Sequence, residues 1–528
     1  MRRSPLSLLV LLLAACGDST PKGSTSETPA DGADGADGGD GTDGSEGEGE
    51  GEGEGEGEGE GEGEGDADTD ADSDTDVDDE SPADTDLPED TGEPECDEAT
   101  PVTLYLSPDD SNSMSSPVQV REKVLAAGYP GSAPIRVWEF FNYYRFAYAP
   151  AEPGALRLDA ALVPRVGGSW TLQLGLTSPP ADTDRDLMNL TFVLDTSGSM
   201  EGRSMDMMKA SMSVIAGQLQ AGDIVSMVTW SSDDRLILDS HTITGPSDTA
   251  LKGAITDLSA AGGTDLSNGL TKGYALAEKN YSVGRINRVV LISDGGANMG
   301  VTDGALIGAH AADSDAEGIY LVGVGVGTHN YDDTLMDDVT DLGKGAAVFI
   351  PTEAEAERVF SERFSNTFGV SARDVGLQLT LPPGFEIVRF SGEEYSTDFT
   401  EIEPQHLAPD DSMVFFQEIE TCAPEGISDE SPVTVTAVWK DPLTFVSNEQ
   451  VLSTTFGELA AADTVELTRG AALFAYVEML KACRYGCSDA VGLAAWDTSM
   501  DALDAADLLL PGDADLAELR LITEALAP

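Results

Sequence analysis

The sequence predicts an α/β fold built on a doubly wound, mainly parallel sheet. To this it adds an accessory antiparallel β-domain and a C-terminal helical segment. Three observations carry that prediction. Between residues 187 and 370, continuous apolar runs such as Leu190–Leu194 and Val289–Ile292 alternate with helical patterns, as expected for strands buried on both faces. Between 371 and 460 the pattern shifts to period two with Pro and Gly turns, as in Val375-Gly-Leu-Gln-Leu-Thr-Leu381 and Val433-Thr-Val-Thr-Ala-Val-Trp439. From Ala461 onward the apolar spacing is helical, with Leu473, Val477 and Leu480 on one face and Leu516, Leu519, Ile522 and Leu526 on another.

The chain begins with a targeting segment, residues 1–16. Arg2-Arg3 is a positive n-region, and Leu6–Leu13 is an apolar core too short for an ordinary span. Leu13-Ala-Ala-Cys16 resembles the bacterial lipobox, which implies a lipidated Cys16 and a lipid anchor in the bacterial envelope. Gly17 after the cysteine implies the outer membrane; the periplasmic or surface face stays open. Residues 17–99 form a low-complexity acidic linker. It contains a Gly-Glu alternation from Glu46 to Gly65 and Asp-rich repeats such as Asp66-Ala-Asp-Thr-Asp70. Almost no apolar residues are present, so no core is expected. The Asp-x-Asp-x-Asp run lacks the glycine and the closing glutamate of an EF-hand loop. As a solvated spacer its contour reaches roughly 270 Å at about 3.3 Å per residue.

Residues 100–186 read as an N-terminal accessory segment. A short strand near Leu104 leads to a polar turn, and a helix follows from Ser116 to Ala127, stopped by Gly128. A second helix is expected over Pro134–Tyr144, its aromatic stripe serving as core. Strands are expected at Ala155–Leu162 and Trp170–Leu176; they are candidates to join the later β-domain across the intervening domain.

Residues 187–370 read as one doubly wound domain. The expected order is strand Leu187–Asp195, helix Ser204–Leu219, strands Asp223–Trp230 and Arg235–Leu238, and helices Ser247–Leu258 and Leu266–Lys279. Strand Arg288–Ser293, helix Asp303–Glu317, strand Ile319–Gly325, helix Asp332–Leu342 and strand Ala346–Ile350 follow. A final helix spans Glu353–Phe368. Gly323-Val-Gly-Val-Gly327 has the start of a dinucleotide fingerprint. Thr328 stands where the third glycine belongs, so the glycines are read as small residues at a strand end.

The chemistry concentrates where the first buried strand stops. Asp195-Thr-Ser-Gly-Ser199 presents Asp195, Ser197 and Ser199 at alternate positions on a loop at the carboxyl edge of a sheet. Oxygen side chains so arranged suit a hard cation. Gly262-Gly-Thr-Asp-Leu-Ser-Asn268 offers Thr264, and Val289-Val-Leu-Ile-Ser-Asp-Gly295 ends a second strand at Asp294. In this order the three pieces resemble the von Willebrand factor type A domain, a Rossmann-like fold, with its metal-ion-dependent adhesion site. The resemblance assigns Asp195, Ser197, Ser199, Thr264 and Asp294 to Mg²⁺, with Mn²⁺ or Ca²⁺ as substitutes. It implies a protein ligand that presents an Asp or Glu to the metal. Ser107–Met114 and Val137-Trp-Glu-Phe-Phe-Asn-Tyr-Tyr144, followed by such a domain, are similar to the YfbK-like bacterial lipoproteins, a family that implies no established reaction.

Charge and cysteines bound the rest. The net charge of −69 disfavours nucleic acid, whose phosphates would be repelled. Residues 17–100 hold 34 Asp and Glu against one Lys, and the remainder is acidic as well. Beyond Cys16, Cys96, Cys422, Cys483 and Cys487 are candidates for disulfides in an exported protein, with three pairings open. Cys483 and Cys487 lie four apart, and a helix break near Gly486 would relieve the strain of pairing them. No histidine pattern supports a zinc site or a general base, and no nucleophile motif appears. The expected function is therefore non-enzymatic, metal-dependent partner binding. A structural scaffold whose metal only stabilises the fold is the alternative, and a metal-dependent hydrolase is the less favoured one.

Overall fold

The computed structural model describes residues 96–528, apart from 98, 109–112, 182–184, 232–234, 264–265, 296–317, 328–330 and 332. The leader with Cys16, the acidic linker, Thr264, and the helix expected at Asp303–Glu317 lie outside the described residues.

Three strands precede the central domain: β1 (Pro101–Ser107), β2 (Arg157–Pro164) and β3 (Ser169–Thr177). Between β1 and β2 run helices Ser115–Ala127 and Val137–Tyr143. The first ends on Gly128, whose φ of 83° suits glycine and whose N–H donates to the Val124 carbonyl. The second starts three residues later than expected. Ile135 and Arg136 stay outside it, and the Arg136 guanidinium pairs with Glu139, Asp333 and Asp337 at 3.1, 2.6 and 2.9 Å.

The central domain holds β4 (Leu187–Asp195), β5 (Ile224–Trp230), β6 (Arg235–Thr242), β7 (Arg285–Ser293), β8 (Ile319–Val326) and β9 (Ala347–Ile350). Their order is β6-β5-β4-β7-β8-β9; every pair is parallel except β5 with β6. Period-two alternation divides β4 between two cores. Met188, Leu190, Phe192 and Leu194 enter one, and Val193 joins Val228, Trp230, Leu270 and Tyr274 in the other. Close approach explains several glycines. A Cβ on Gly273 would come within 2.4 Å of Val193 Cγ2, and one on Gly269 within 2.8 Å of Trp230. Gly323 and Gly325 pack under Met336, Thr340 and Tyr331 in the same way, which accounts for the fingerprint-like spacing as packing.

The remaining strands are β10 (Ala372–Pro383), β11 (Phe385–Phe390), β12 (Glu394–Ser396), β13 (Gln405–Leu407), β14 (Ser412–Thr421), β15 (Pro432–Lys440) and β16 (Ser447–Thr455). They form two antiparallel sheets with strands from the N-terminal segment. One runs β12-β1-β10-β15-β16, with β13 also on β10; the other runs β11-β14-β3-β2. The sandwich is thus assembled from residues on both sides of the central domain, and segments 100–186 and 371–460 interleave in space. Leu104, Leu106, Leu377, Leu379 and Val435 of the first sheet share a core with Leu172, Leu174, Leu176, Met413 and Phe415 of the second. Cys96 and Cys422 form a disulfide that ties the start of β1 to the end of β14.

Helices Val465–Ala482, Ala490–Leu509 and Ala514–Ala525 close the chain. The first lies on the outer face of the second sheet, with Phe474 and Phe416 centroids 5.0 Å apart. Cys483 and Cys487 are bonded just past its end, where Gly486 turns at φ 118°. Among the described residues no helix is long and apolar enough to cross a membrane.

The last segment of the central domain departs from the expected continuous helix. It comprises an α-turn at Glu353–Glu357, a π-turn at Arg358–Glu362 and an α-turn at Phe364–Phe368. The reason lies in Tyr143. The wider turn, closed by Arg363 N–H on the Arg358 carbonyl at 3.1 Å, brings residues five apart to one side. There Arg358 donates to the Tyr143 hydroxyl at 2.8 Å and Arg363 to the Tyr143 carbonyl at 2.5 Å. Glu355 accepts from the same hydroxyl at 3.2 Å and pairs with Arg121 at 2.6 Å, while Arg121 also reaches Glu518 at 3.2 Å.

Two measurements check this packing. Gly273→Ala is expected to destabilise by about 1–3 kcal/mol through overpacking, in spite of alanine's better helix propensity. Gly253→Ala, on an exposed helical position with nothing within 4 Å, is expected to stabilise by about 0.5–1 kcal/mol; urea midpoints of the two read the contrast. Glu355→Gln strips the buried Arg121 of one counter-charge. Removing one partner of a buried pair costs about 3 kcal/mol, and the loss should persist in 0.5 M salt, because buried pairs are poorly screened.

Candidate metal centre

The carboxyl edge of the central sheet is where the two acidic strand ends meet. Leu194 of β4 lies opposite Ile292 of β7, so Asp195 and Asp294 leave the sheet at neighbouring heights. On the far side of β4, Asp195 lies opposite Trp230 of β5. β5 and β6 lie on one side of β4 and β7, β8 and β9 on the other, which makes this edge the switch point of a doubly wound sheet.

Four of the five residues singled out from the sequence are described, and they converge. Ser197 Oγ and Ser199 Oγ are 3.0 Å apart, and the Ser199 hydroxyl donates to Asp294 Oδ1 at 3.1 Å. Asp195 Oδ1 accepts from the Ser197 N–H at 2.8 Å. Its Oδ2 accepts from the Ser293 hydroxyl at 2.7 Å, and Ser293 Oγ in turn accepts from Gly295 N–H at 3.0 Å. Asp195, Ser197 and Asp294 are buried while Ser199 is exposed, so the cluster opens to solvent on the Ser199 side. Thr264 is not among the described residues, but the loop before it is in place. Ala261 N–H donates to the Thr196 carbonyl at 2.7 Å, and Gly198 N–H to the Gly262 carbonyl at 3.2 Å.

The electrostatics fit a cation. Burial pushes the Asp195 carboxyl above its ordinary value; hydrogen bonds from Ser293 and Ser197 oppose the shift and the charge of Asp294 adds to it. Among the described residues, Asp195 accepts only from neutral donors. A divalent ion would reverse the cost of placing two carboxylates together. The hydroxyls and carboxylates present are the hard oxygen donors that Mg²⁺ takes. Among the described residues no group of three His, Cys, Asp or Glu forms a metal cluster.

Three contributors escaped the sequence reading. Ser293 holds the inner oxygen of Asp195, and its place just before Asp294 was the available signal. The Thr196 hydroxyl donates to the Trp230 carbonyl at 3.2 Å and pins the loop across β5. Gly327, at φ 101°, lets the end of β8 pass the site, since a Cβ there would meet Ser204 Oγ at 2.6 Å and Asp294 Cβ at 3.6 Å. No histidine joins the cluster among the described residues. His241 is paired with Asp248 at 2.9 Å, and His406 is buried against Tyr320.

Known proteins resemble the chain in this region. Residues 189–362 match the family model of the von Willebrand factor type A domain. Over 263 residues the chain is 29% identical to the uncharacterized protein YfbK of Escherichia coli (strain K12), a match covering 48% of this chain and 45% of that protein. It is 26% identical over 214 residues to the uncharacterized protein sll0103 of Synechocystis sp., covering 40% of this chain and 49% of that one. The chain thus spans about half the length of these curated relatives. Among solved structures, the von Willebrand factor type A protein from Catenulispora acidiphila aligns at 18% identity with a TM-score of 0.44, covering 71% of this chain and 97% of that one. The α/β body thus contains a von Willebrand factor type A domain over residues 189–362.

Proposed function

We propose that this chain is an envelope lipoprotein, anchored through Cys16, that binds a protein partner through a divalent cation. Asp195, Ser197, Ser199, Thr264 and Asp294 would hold the ion, with Mg²⁺ the preferred species. The observation that carries the reading is the convergence of Ser197, Ser199 and Asp294 within hydrogen-bond distance beside the buried Asp195, with the open side at the exposed Ser199. A von Willebrand factor type A domain is in general a protein-interaction module, and such domains commonly bind a divalent metal.

The residues present favour recognition over reaction. When bound, the ion supplies a position that accepts a carboxylate oxygen. Ser197 and Ser199 are neutral, so they leave much of a divalent charge uncancelled, and an Asp or Glu of a partner is the complementary group. The Asp195–Ser293 and Thr196–Trp230 hydrogen bonds fix the loop that carries both serines. No described histidine stands by as a general base. The acidic surface and the charged spacer keep the body away from the lipid and from other anions.

The last segment of the domain links this site to the sandwich. Only Gly369, Val370 and Ser371 separate the Phe364–Phe368 turn from β10, so movement of that segment on ligation would be felt there.

Two experiments test the reading. In calorimetric titrations of the full chain with Mg²⁺ or Mn²⁺, one site is expected, with affinity lowered at least tenfold by Ser199→Ala or Asp294→Asn; unchanged titrations would end the metal assignment. In pull-downs from the organism's own envelope extract, a partner should be retained with Mg²⁺ and lost with EDTA or with folded Ser199→Ala. If metal raises the melting temperature but no partner depends on it, the ion is structural and the scaffold reading replaces this one.

A further inference from the structure

The chain carries 97 acidic residues against 28 basic ones, yet one cavity reverses the sign. It lies at the starts of β4, β7 and β8, the end of the central sheet opposite Asp195 and Asp294, and borders the segment that enters β10. It has a volume of about 250 Å³. Arg185, Arg285, Arg288 and Arg373 line it, and among the described residues Asp186 is its one acidic wall.

The four guanidiniums are held in different ways. Arg185 forks onto Asp223 at 2.7 and 3.2 Å and is neutralised there. Arg285 donates to the carbonyls of Met188 and Gly222 at 3.1 and 2.9 Å, its polar contacts among the described residues. Carbonyls orient a guanidinium without cancelling its charge. Arg288 lies over the Tyr320 ring at 4.9 Å; Arg373 lies over the same ring at 5.1 Å and over Phe445 at 4.8 Å. This stack holds two planar cations in fixed orientation before any ligand arrives. The other walls mix apolar side chains with Asn287, Ser365 and Ser371 and are partly open, with Val283 57% and Leu443 49% exposed. Arg285 thus brings a positive charge held only by carbonyls to the recess, which an anion would complement.

We propose that this cavity is a binding site for a small organic oxyanion, with the oxyanion on Arg285 and an apolar stem against Leu443 and Phe445. The shared chemistry is a carboxylate or phosphate ester on an apolar body. The cavity is smaller than the roughly 300–1,000 Å³ of drug-sized pockets, which limits the ligand to a compact molecule. The site stands apart from the metal edge and does not rest on the metal reading.

Calorimetry on the full chain at low ionic strength, with benzoate, phenyl phosphate, inorganic phosphate and neutral benzamide as probes, tests it. At least one aromatic anion is expected to bind tenfold or more tightly than benzamide and inorganic phosphate. Comparing benzoate with phenyl phosphate identifies the preferred head group. Arg285→Gln should weaken that binding at least tenfold. Val283→Trp, at an exposed rim position, should block it while leaving every arginine in place. Arg389→Gln, on an arginine that pairs with Glu418 and Glu478 elsewhere, should leave it unchanged. The proposal fails if no probe saturates, if benzamide binds as well as the anions, or if binding survives both Val283→Trp and Arg285→Gln in folded protein.

Discussion

Leu194 opposite Ile292 is the pairing on which the candidate site depends. In a parallel sheet, a slip of one residue turns every side chain to the other face. Here both faces are buried. Phe192 and Leu194 fill one core, and Val193 fills the other beside Tyr274 and Trp230. A slip of β4 would drive larger side chains into the space that admits Gly273 only because it lacks a Cβ. The apolar core therefore sets the height at which Asp195 and Asp294 emerge. Ser293, one residue before Asp294, falls within reach of Asp195 for the same reason.

A second constraint joins the domain to its surroundings. The Tyr143 hydroxyl accepts from Arg121 and Arg358 and donates to Glu355. Tyr144 next to it donates to Glu518 at 2.9 Å. Four segments distant in sequence meet there: the first helix, the aromatic helix, the end of the type A domain and the last helix. The sandwich makes the same kind of closure in its sheets, since β1 pairs with β10 and β3 with β14. An inserted domain held from both sides in this way has little freedom to rotate as a separate body. Motion passing from the candidate metal edge toward the sandwich would have to work through the π-turn at Arg358–Glu362.

The sequence made the central domain legible because its signals are local. Apolar runs, helix periodicity and the Asp-x-Ser-x-Ser loop each occupy one short window, and β4 and the Leu266–Lys279 helix match their expected bounds. The same holds for the aromatic helix as core and for Gly128 as a stop. Long-range partnerships were less legible. That β2 and β3 join the later β-strands was foreseen as a candidate arrangement, whereas the entry of β1 beside β10 carries no local mark. The break in the last helix was hidden because Glu353–Phe368 has helical spacing throughout; its cause is a tyrosine two hundred residues away. The arginine-lined cavity was invisible for a related reason, since its four arginines come from three separate stretches of an acidic chain.

That chain faces a problem that its few cations help to solve. A net charge of −69 opposes compaction through self-repulsion. Exposed ion pairs offset little of this, since each contributes about 0–1 kcal/mol and is screened by salt. The arginines at the seams act differently because they are mostly withdrawn from water. Arg363 is 7% and Arg469 6% exposed, and the side chains of Arg121 and Arg136 are 13% and 16% exposed. Arg121 ties the first helix to the end of the type A domain and to the last helix. Arg136 ties the aromatic helix to Asp333 and Asp337. Arg469 reaches Asp513, joining two of the C-terminal helices. Arg121, Arg136 and Arg469 thus sit between segments that carry acidic groups, where salt screens them least. Positive charge is spent on the joints of the fold, and the outer surface is left acidic. Among the described residues, the carboxylates and hydroxyls at the ends of β4 and β7 and the guanidiniums at their starts are two places where charge gathers at an opening, and each suits a ligand of opposite sign.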